Sequence, residues 1–123
     1  MNDSKEYLIE PVEKGSINIS EEVIAAIAAI AVSEVDGVFG LSSGFTEDLA
    51  EILGKKNLSK GVKLSIDGES VTVESNIIVT YGSEIPAVAS AIQDNVTSAV
   101  ESMTGLKVAA VHVNICSISV PKD

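Results

Sequence analysis

Few side chains in the sequence could carry out chemistry. The chain has one histidine and one cysteine, His112 and Cys116, and both fall on the same face of a predicted strand. Because each residue of a strand advances the chain by about 3.3 Å, the two side chains are roughly 13 Å apart. That separation is too large for a base to activate a nucleophile. A metal site needs several grouped ligands, so we expect neither a catalytic dyad nor a bound metal.

Two pairs of neighbouring acidic residues are the other candidates for acid–base chemistry. Glu21–Glu22 and Glu47–Asp48 each fall in the first turn of a predicted helix, where carboxylates stabilise the positive end of the helix dipole. The glycines do not have the spacing of a phosphate-binding loop. The sequence therefore predicts neither an enzyme nor a bound cofactor.

Half of the eight lysines lie close together in the segment KKNLSKGVK, at Lys55, Lys56, Lys60 and Lys63. Two interpretations stay open for this segment. It is a solvated loop, or it is a positive surface that attracts an acidic protein or a lipid head group. In the second case, binding should weaken as salt is added.

The overall charge narrows the range of partners. The 123-residue chain has 18 acidic residues against 8 basic ones, all lysines, and a formal net charge of -10. The phosphate backbone of a nucleic acid would be repelled by this charge, and the arginine side chains that read guanine edges are missing. Tryptophan is absent and aromatic residues make up only 3% of the chain, which leaves little surface for base stacking. We expect no nucleic-acid partner.

The pattern of cysteine and apolar residues indicates a compartment. A lone cysteine cannot form an intramolecular disulfide, and residues 1–15 lack the basic and apolar regions of a signal peptide. The longest apolar run, Val23–Val32, has 10 residues, about half of the ~20 that a membrane span requires. These features predict a cytoplasmic protein without direct membrane insertion.

The elements that position these residues follow from hydrophobic periodicity and capping signals. A short strand over Gly15–Ile19 leads into a helix that Ser20 caps and that ends near Gly37. The apolar side chains of this helix form two adjacent stripes, one with Val23, Ile27 and Ile30, and the other with Ile24, Ala28, Ala31 and Val35. So wide an apolar sector predicts deep burial in the core, with a stripe left for another subunit as the alternative.

The second half of the chain has clearer periodicity. Alternation from Val62 predicts a β-hairpin that turns at Asp67–Gly68. Pro86 begins an amphipathic helix that ends at Gly105, and an alternating final strand follows. The apolar stripe predicted for this helix comprises Val88, Ile92, Val96, Val100 and Met103. The second hairpin strand, the helix and the last strand form a right-handed βαβ unit if the two strands are parallel.

Together these elements predict an α+β fold with two layers. The layers are one mostly antiparallel or mixed sheet of about four strands, and two long helices on one face of it. A short helix over Thr46–Gly54 is an addition to this core. Residues 1–14, which contain Pro11, are expected to form a flexible N-terminal arm, and residues 15–121 a single domain.

Five segments follow one another in order between Gly15 and Val120: GSINISEEVIAAIA, SEVDGVFG, GKKNLSKGVKLSI, VTYGSEIPAVASAIQDNV and VESMTGLKVAAVHVNI. As a set they resemble the alkaline shock, or envelope stress response, protein family of Gram-positive bacteria. The resemblance implies a non-enzymatic cytoplasmic protein that forms homo-oligomers and binds other proteins. It also implies that two motif positions, the lysine segment and the YGSEIP turn, are candidates for partner binding. Their residues are Lys55, Lys56, Asn57, Lys60, Lys63, Tyr81, Gly82 and Pro86.

Two functional hypotheses follow from the resemblance. In the first, the protein is an oligomeric scaffold of the envelope stress response that stays near the membrane by binding a membrane anchor protein. In the second, it regulates fatty-acid synthesis by binding an acetyl-CoA carboxylase subunit, for which the lysine segment would offer a positive surface.

Overall fold

The computed structural model describes residues 6–12, 14–42 and 61–121 of the chain. The helices of these described residues are α1 (Glu21–Ser33) and α2 (Ile85–Thr104). Its strands are β1 (Glu6–Val12), β2 (Gly15–Ser20), β3 (Val38–Leu41), β4 (Val62–Asp67), β5 (Ser70–Thr80) and β6 (Lys107–Ser119). This content confirms the predicted α+β class. The helix predicted over Thr46–Gly54 lies outside the described residues.

Strand β5 is the centre of the main sheet. β6 pairs with it in parallel along its whole length, from Ser70 to Thr80. β4 pairs antiparallel with the first half of β5, and β3 pairs antiparallel with its end. Because β6 occupies one edge of β5 throughout, β3 and β4 lie end to end along the other edge. The sheet is therefore mixed. Because β5 and β6 are parallel and in one sheet, they meet the condition for the possible βαβ unit with α2.

The ends of the helices follow the capping signals in the sequence. The Ser20 hydroxyl accepts a hydrogen bond from the Val23 amide at 3.3 Å, which satisfies one of the free donors at the start of α1. Gly105 ends α2 in the left-handed conformation, with φ 83°, and its amide donates to the Glu101 carbonyl. Both predicted boundaries are confirmed.

One hydrophobic core joins the helices to the sheet. The predicted inward face of the hairpin, Val71, Val73, Ile77 and Val79, is buried. The buried members from the helices are Ile24, Ala25, Ala28, Ala29, Ala31 and Val32 of α1, and Val88, Ile92, Val96 and Val100 of α2. The core is built almost entirely from small and branched aliphatic side chains, in agreement with the low aromatic content of the sequence.

Strand β1 is an element that the sequence analysis does not predict. It pairs antiparallel with β2, from Glu6 opposite Ser20 to Val12 opposite Gly15, in a two-stranded sheet separate from the main one. Pro11 and the mixture of charged and apolar residues do not give the pattern typical of a strand, so the sequence does not predict it. Since β1 has β2 as its one partner in the described part of the chain, the missing amide of Pro11 can face away from the ladder.

Two predicted apolar stripes are corrected by the structure. On α1, the stripe with Ile24 enters the core, whereas Val23 and Ile30 of the other stripe are 48% and 60% exposed. On α2, Met103 is 66% exposed and Thr104 is buried in its place. The buried positions of α2 recur every four residues up to Thr104, so a residue three positions after Val100 falls outside the stripe.

Candidate functional site

The two side chains that could take part in chemistry, His112 and Cys116, lie on the surface of β6. His112 and Cys116 are both exposed, and Asn114 lies between them on the same strand. The Cys116 thiol is 3.7 Å from the Asn114 carbonyl, to which it donates. In the register of the sheet, His112 stands opposite Glu74 of β5.

A polar network accompanies these residues and joins β5 to β6. The Asn114 side-chain amide donates to the Glu74 carboxylate at 3.1 Å and to the Asn76 side-chain oxygen at 3.0 Å. Asn76 is only 4% exposed, so this bond satisfies a buried acceptor. The Ser75 hydroxyl adds a bond to the His112 carbonyl. The network therefore stabilises the pairing of the two strands.

Two kinds of feature are absent from the described ranges, a metal site and a membrane-spanning helix. Within them, no group of three or more His, Cys, Asp or Glu side chains is placed to hold a metal ion. Neither helix combines the length and the apolar character needed to cross a membrane.

The predicted partner-binding residues of the lysine segment fall mostly outside the described part of the chain. Lys55, Lys56, Asn57 and Lys60 are in residues 43–60, which the structure does not describe. Lys63 is exposed in β4, in register with Glu74 of β5. This pairing places one member of the segment on the edge strand β4, beside the first half of β5.

The structure groups the other three predicted partner-binding residues at the end of β5. Tyr81 is 67% exposed, and its amide donates to the Ser119 carbonyl at 2.9 Å. Gly82 turns the chain with φ 99°, and Pro86 is exposed in the first turn of α2. Glu74, the register partner of Lys63, lies six positions before Thr80, or roughly 20 Å along the strand. The structure thus brings Tyr81, Gly82 and Pro86 together but leaves Lys63 apart from them.

One apolar face of α1 is exposed, which is the alternative that the wide apolar sector left open rather than the favoured deep burial. This face, which we call the α1 stripe, consists of Val23, Ile27 and Ile30; Val23 and Ile30 are exposed and Ile27 is half-buried. Ile17 of β2, the strand that precedes α1, is also 54% exposed. The signal in the sequence is the absence of any charged residue from Val23 to Ser33. An ordinary surface helix has a charged outer face, so an uncharged one indicates a second covering surface.

Comparison with known proteins connects this geometry to a family. Residues 10–120 match the profile of the alkaline shock protein 23 family, which is described as having a cell envelope-related function. Two relatives come from Bacillus subtilis (strain 168). The uncharacterized protein YqhY is 37% identical over 109 residues, which cover 89% of this chain and 81% of that protein. The uncharacterized protein YloU is 37% identical over 108 residues, which cover 86% of this chain and 90% of that protein.

The name of a third relative refers to the stress response. The stress response regulator gls24 homolog of Streptococcus pyogenes is 27% identical over 106 residues, covering 85% of this chain and 59% of that protein. Among solved structures, the MamM CTD variant M250L superposes with a TM-score of 0.49 at 17% identity, over 78% of this chain and 95% of that one. A likeness this distant has no bearing on function. The family match and the stress-regulator relatives support an envelope stress-related role. Since the match extends over nearly the whole length, the chain belongs to the alkaline shock protein 23 family, the family of the resemblance seen in its sequence.

Proposed function

We propose that the protein is a non-enzymatic scaffold of the cell-envelope stress response, which self-associates and binds a protein partner near the membrane. The observation that supports this proposal best is the α1 stripe. Val23 and Ile30 expose large apolar side chains on a helix that carries no charge between Glu22 and Glu34. Covering these side chains by a second copy removes apolar surface from water.

The negative charge of the chain restricts where a second copy can bind. Two molecules that each carry a net charge of -10 repel one another. An uncharged helix face lets two copies approach where this repulsion is weakest. In a twofold contact each stripe would be buried once by its partner, so the same side chains contribute twice.

The expected strength of this contact is modest. Burying a half-exposed Val or Ile side chain contributes about 1 kcal/mol. Two such side chains on each copy leave only a weak net affinity once the cost of association is subtracted. We therefore expect a reversible oligomer that forms at high local concentration, which suits a scaffold gathered at one cellular surface.

The negative charge also bears on how the protein reaches the membrane. The cytoplasmic leaflet is anionic and repels a chain of this charge. A position near the membrane would then require a protein partner, and the exposed corner of Tyr81, Gly82 and Pro86 is a candidate surface for it.

Growth under envelope stress tests the proposal in cells. A strain lacking the gene would be supplied with the wild type, with Ile30→Glu, or with Met103→Glu as a control that adds the same charge at another exposed apolar residue. We expect the wild type and Met103→Glu to restore growth, and Ile30→Glu to fail because it places a carboxylate in the self-association face. Equal rescue by all three proteins at equal abundance would contradict the proposal.

Cross-linking in the same strains identifies the partner. Capture of a membrane anchor protein supports the scaffold. Capture of acetyl-CoA carboxylase subunits would favour the alternative role in fatty-acid synthesis and would count against the scaffold.

A further inference from the structure

A groove lies between the end of α1 and the first half of α2. It has a volume of about 650 Å³. Its apolar surface includes Val35, Ala87 and Ala91, and carboxylates enter it from both sides, Glu34 and Asp36 after α1 and Asp94 on α2. The space admits a few side chains of another molecule.

The walls of the groove are held by contacts between the two helices. The Asn95 side-chain amide donates to the Ala31 carbonyl at 2.7 Å, which fixes α2 against the last turn of α1. Just after α1 the chain turns at Gly37, where an added Cβ would lie 2.7 Å from a methyl group of Val88. The groove is therefore formed by the packing of α1 against α2.

The charge in the groove has one sign. Glu34, Asp36 and Asp94 are exposed acidic residues, and none of the described residues that line the groove is basic. The last turn of α1 also contains no basic residue, so the negative end of that helix dipole adds to the three carboxylates. The amino-terminal turn of α2 carries the opposite partial charge near Ala87. Cationic groups should therefore prefer the end of the groove at Glu34 and Asp94.

We propose that this groove docks a Lys- or Arg-bearing segment of a partner protein. The aliphatic stem of a Lys or Arg side chain would lie on Val35, Ala87 and Ala91, whose small side chains leave room for it. Its cationic head would bond the carboxylates of Glu34 and Asp94 from the two walls. Charge complementarity thus specifies the occupant, because an acidic segment would meet three like charges.

This inference goes beyond the proposed self-association and is independent of it. Ile30 of the α1 stripe is not among the residues that line the groove. A variant that loses self-association should therefore keep the docking site, and a defect in the groove should leave self-association intact.

Fluorescence anisotropy with a defined peptide tests the proposal. The probe is a short labelled peptide of lysine and alanine, and a peptide of glutamate and alanine of equal length is its control. The full-length protein would be compared with the double variant Glu34→Gln, Asp94→Asn. The matched control is Asp67→Asn, Glu69→Gln, which removes the same charge from exposed positions of the β4–β5 turn.

We expect the lysine peptide to bind the wild type at low salt, and the double variant of the groove to bind about tenfold more weakly, since two exposed charge pairs are lost. The control variant should stay within about twofold of the wild type, and the glutamate peptide should not bind. Equal weakening by both double variants would show diffuse attraction to an anionic surface and overturn the proposal, as would failure of the lysine peptide to bind.

A variant of unchanged charge separates docking in the groove from attraction to its rim. Ala91 is exposed, so Ala91→Leu should fold normally while it fills the space. This substitution should weaken binding of the lysine peptide about as much as the loss of the two carboxylates does. Full affinity in Ala91→Leu would overturn the groove as the site. Ile30→Glu should bind the peptide like the wild type, so this experiment and the test of self-association can fail separately.

Discussion

At the scale of single residues, Gly37 joins the end of α1 to the sheet in a conformation that few residues can adopt. Its φ is +95°, and an added Cβ would lie 2.7 Å from Val88 and 3.1 Å from the Ser83 hydroxyl. Glycine is required here for two reasons, the left-handed backbone and the close approach of α2.

Gly37→Ala should therefore destabilise the fold by about 2–4 kcal/mol, through backbone strain together with the clash. Gly40→Ala is the matched control, because nothing lies within 4 Å of the Cβ it would add. Its effect should stay within about 0.5 kcal/mol. Urea unfolding monitored by circular dichroism measures both, and equal midpoints for the two variants would contradict this account of Gly37.

Single residues were also where the sequence was most informative. Ser20 was predicted to cap α1 and Gly105 to end α2, and both predictions are confirmed because each signal is local. The groove was not predicted. Glu34 and Asp94 are 60 positions apart in the chain, and only the packing of α1 on α2 places them in one groove.

At the scale of elements, helix α2 shows how far periodicity can define a buried face. Ile92 is buried in the centre of its stripe, whereas Met103, predicted to share that stripe, is 66% exposed. The amphipathic pattern identified the helix and most of its core residues. It could not decide the last turn, where the small side chain of Thr104 is buried and its hydroxyl donates to the Val100 carbonyl at 2.6 Å.

Truncation of these two residues should separate the core from the surface. Ile92→Ala should destabilise the protein by about 2–5 kcal/mol, since it leaves a cavity between helix and sheet. Met103→Ala should change the free energy of unfolding by less than about 0.5 kcal/mol. Thermal or urea unfolding measures the difference, and comparable losses would mean that Met103 belongs to the core.

Strand β1, which pairs with the predicted strand β2 in a hairpin, was not apparent from the sequence. An isolated two-stranded sheet is only marginally stable in water, and Ile17 on β2 is more than half exposed. The uncovered α1 stripe follows it directly in the chain. Both elements leave apolar side chains exposed within the described part of the chain, which the pattern of residue types alone does not report.

At the scale of the whole molecule, net charge opposes self-association and the α1 stripe favours it. The net charge of -10 should keep copies apart at low ionic strength. Salt screens this repulsion and leaves the apolar contact in place. Self-association through the α1 stripe should therefore strengthen with salt, whereas peptide docking in the acidic groove should weaken.

The class of the fold was predictable at this scale, while the functional surface was not. Alternation from Val62, the helix from Pro86 and the final strand identified the three elements of the βαβ unit, because periodicity reports which side of an element is buried. It did not report whether the two strands are parallel. The same periodicity does not report how much of an apolar helix the core can cover. The wide apolar sector of α1 left two arrangements open, and only the packed structure shows Val23 and Ile30 outside the core.

The most direct test of the central claim is sedimentation velocity of the wild type, Ile30→Glu and Met103→Glu over a range of protein concentrations, at low and at high sodium chloride. We predict that the wild type and Met103→Glu form larger species as concentration and salt increase, and that Ile30→Glu remains monomeric under the same conditions. A monomeric wild type at every concentration and salt, or an Ile30→Glu variant that associates like the wild type, would contradict self-association through the α1 stripe.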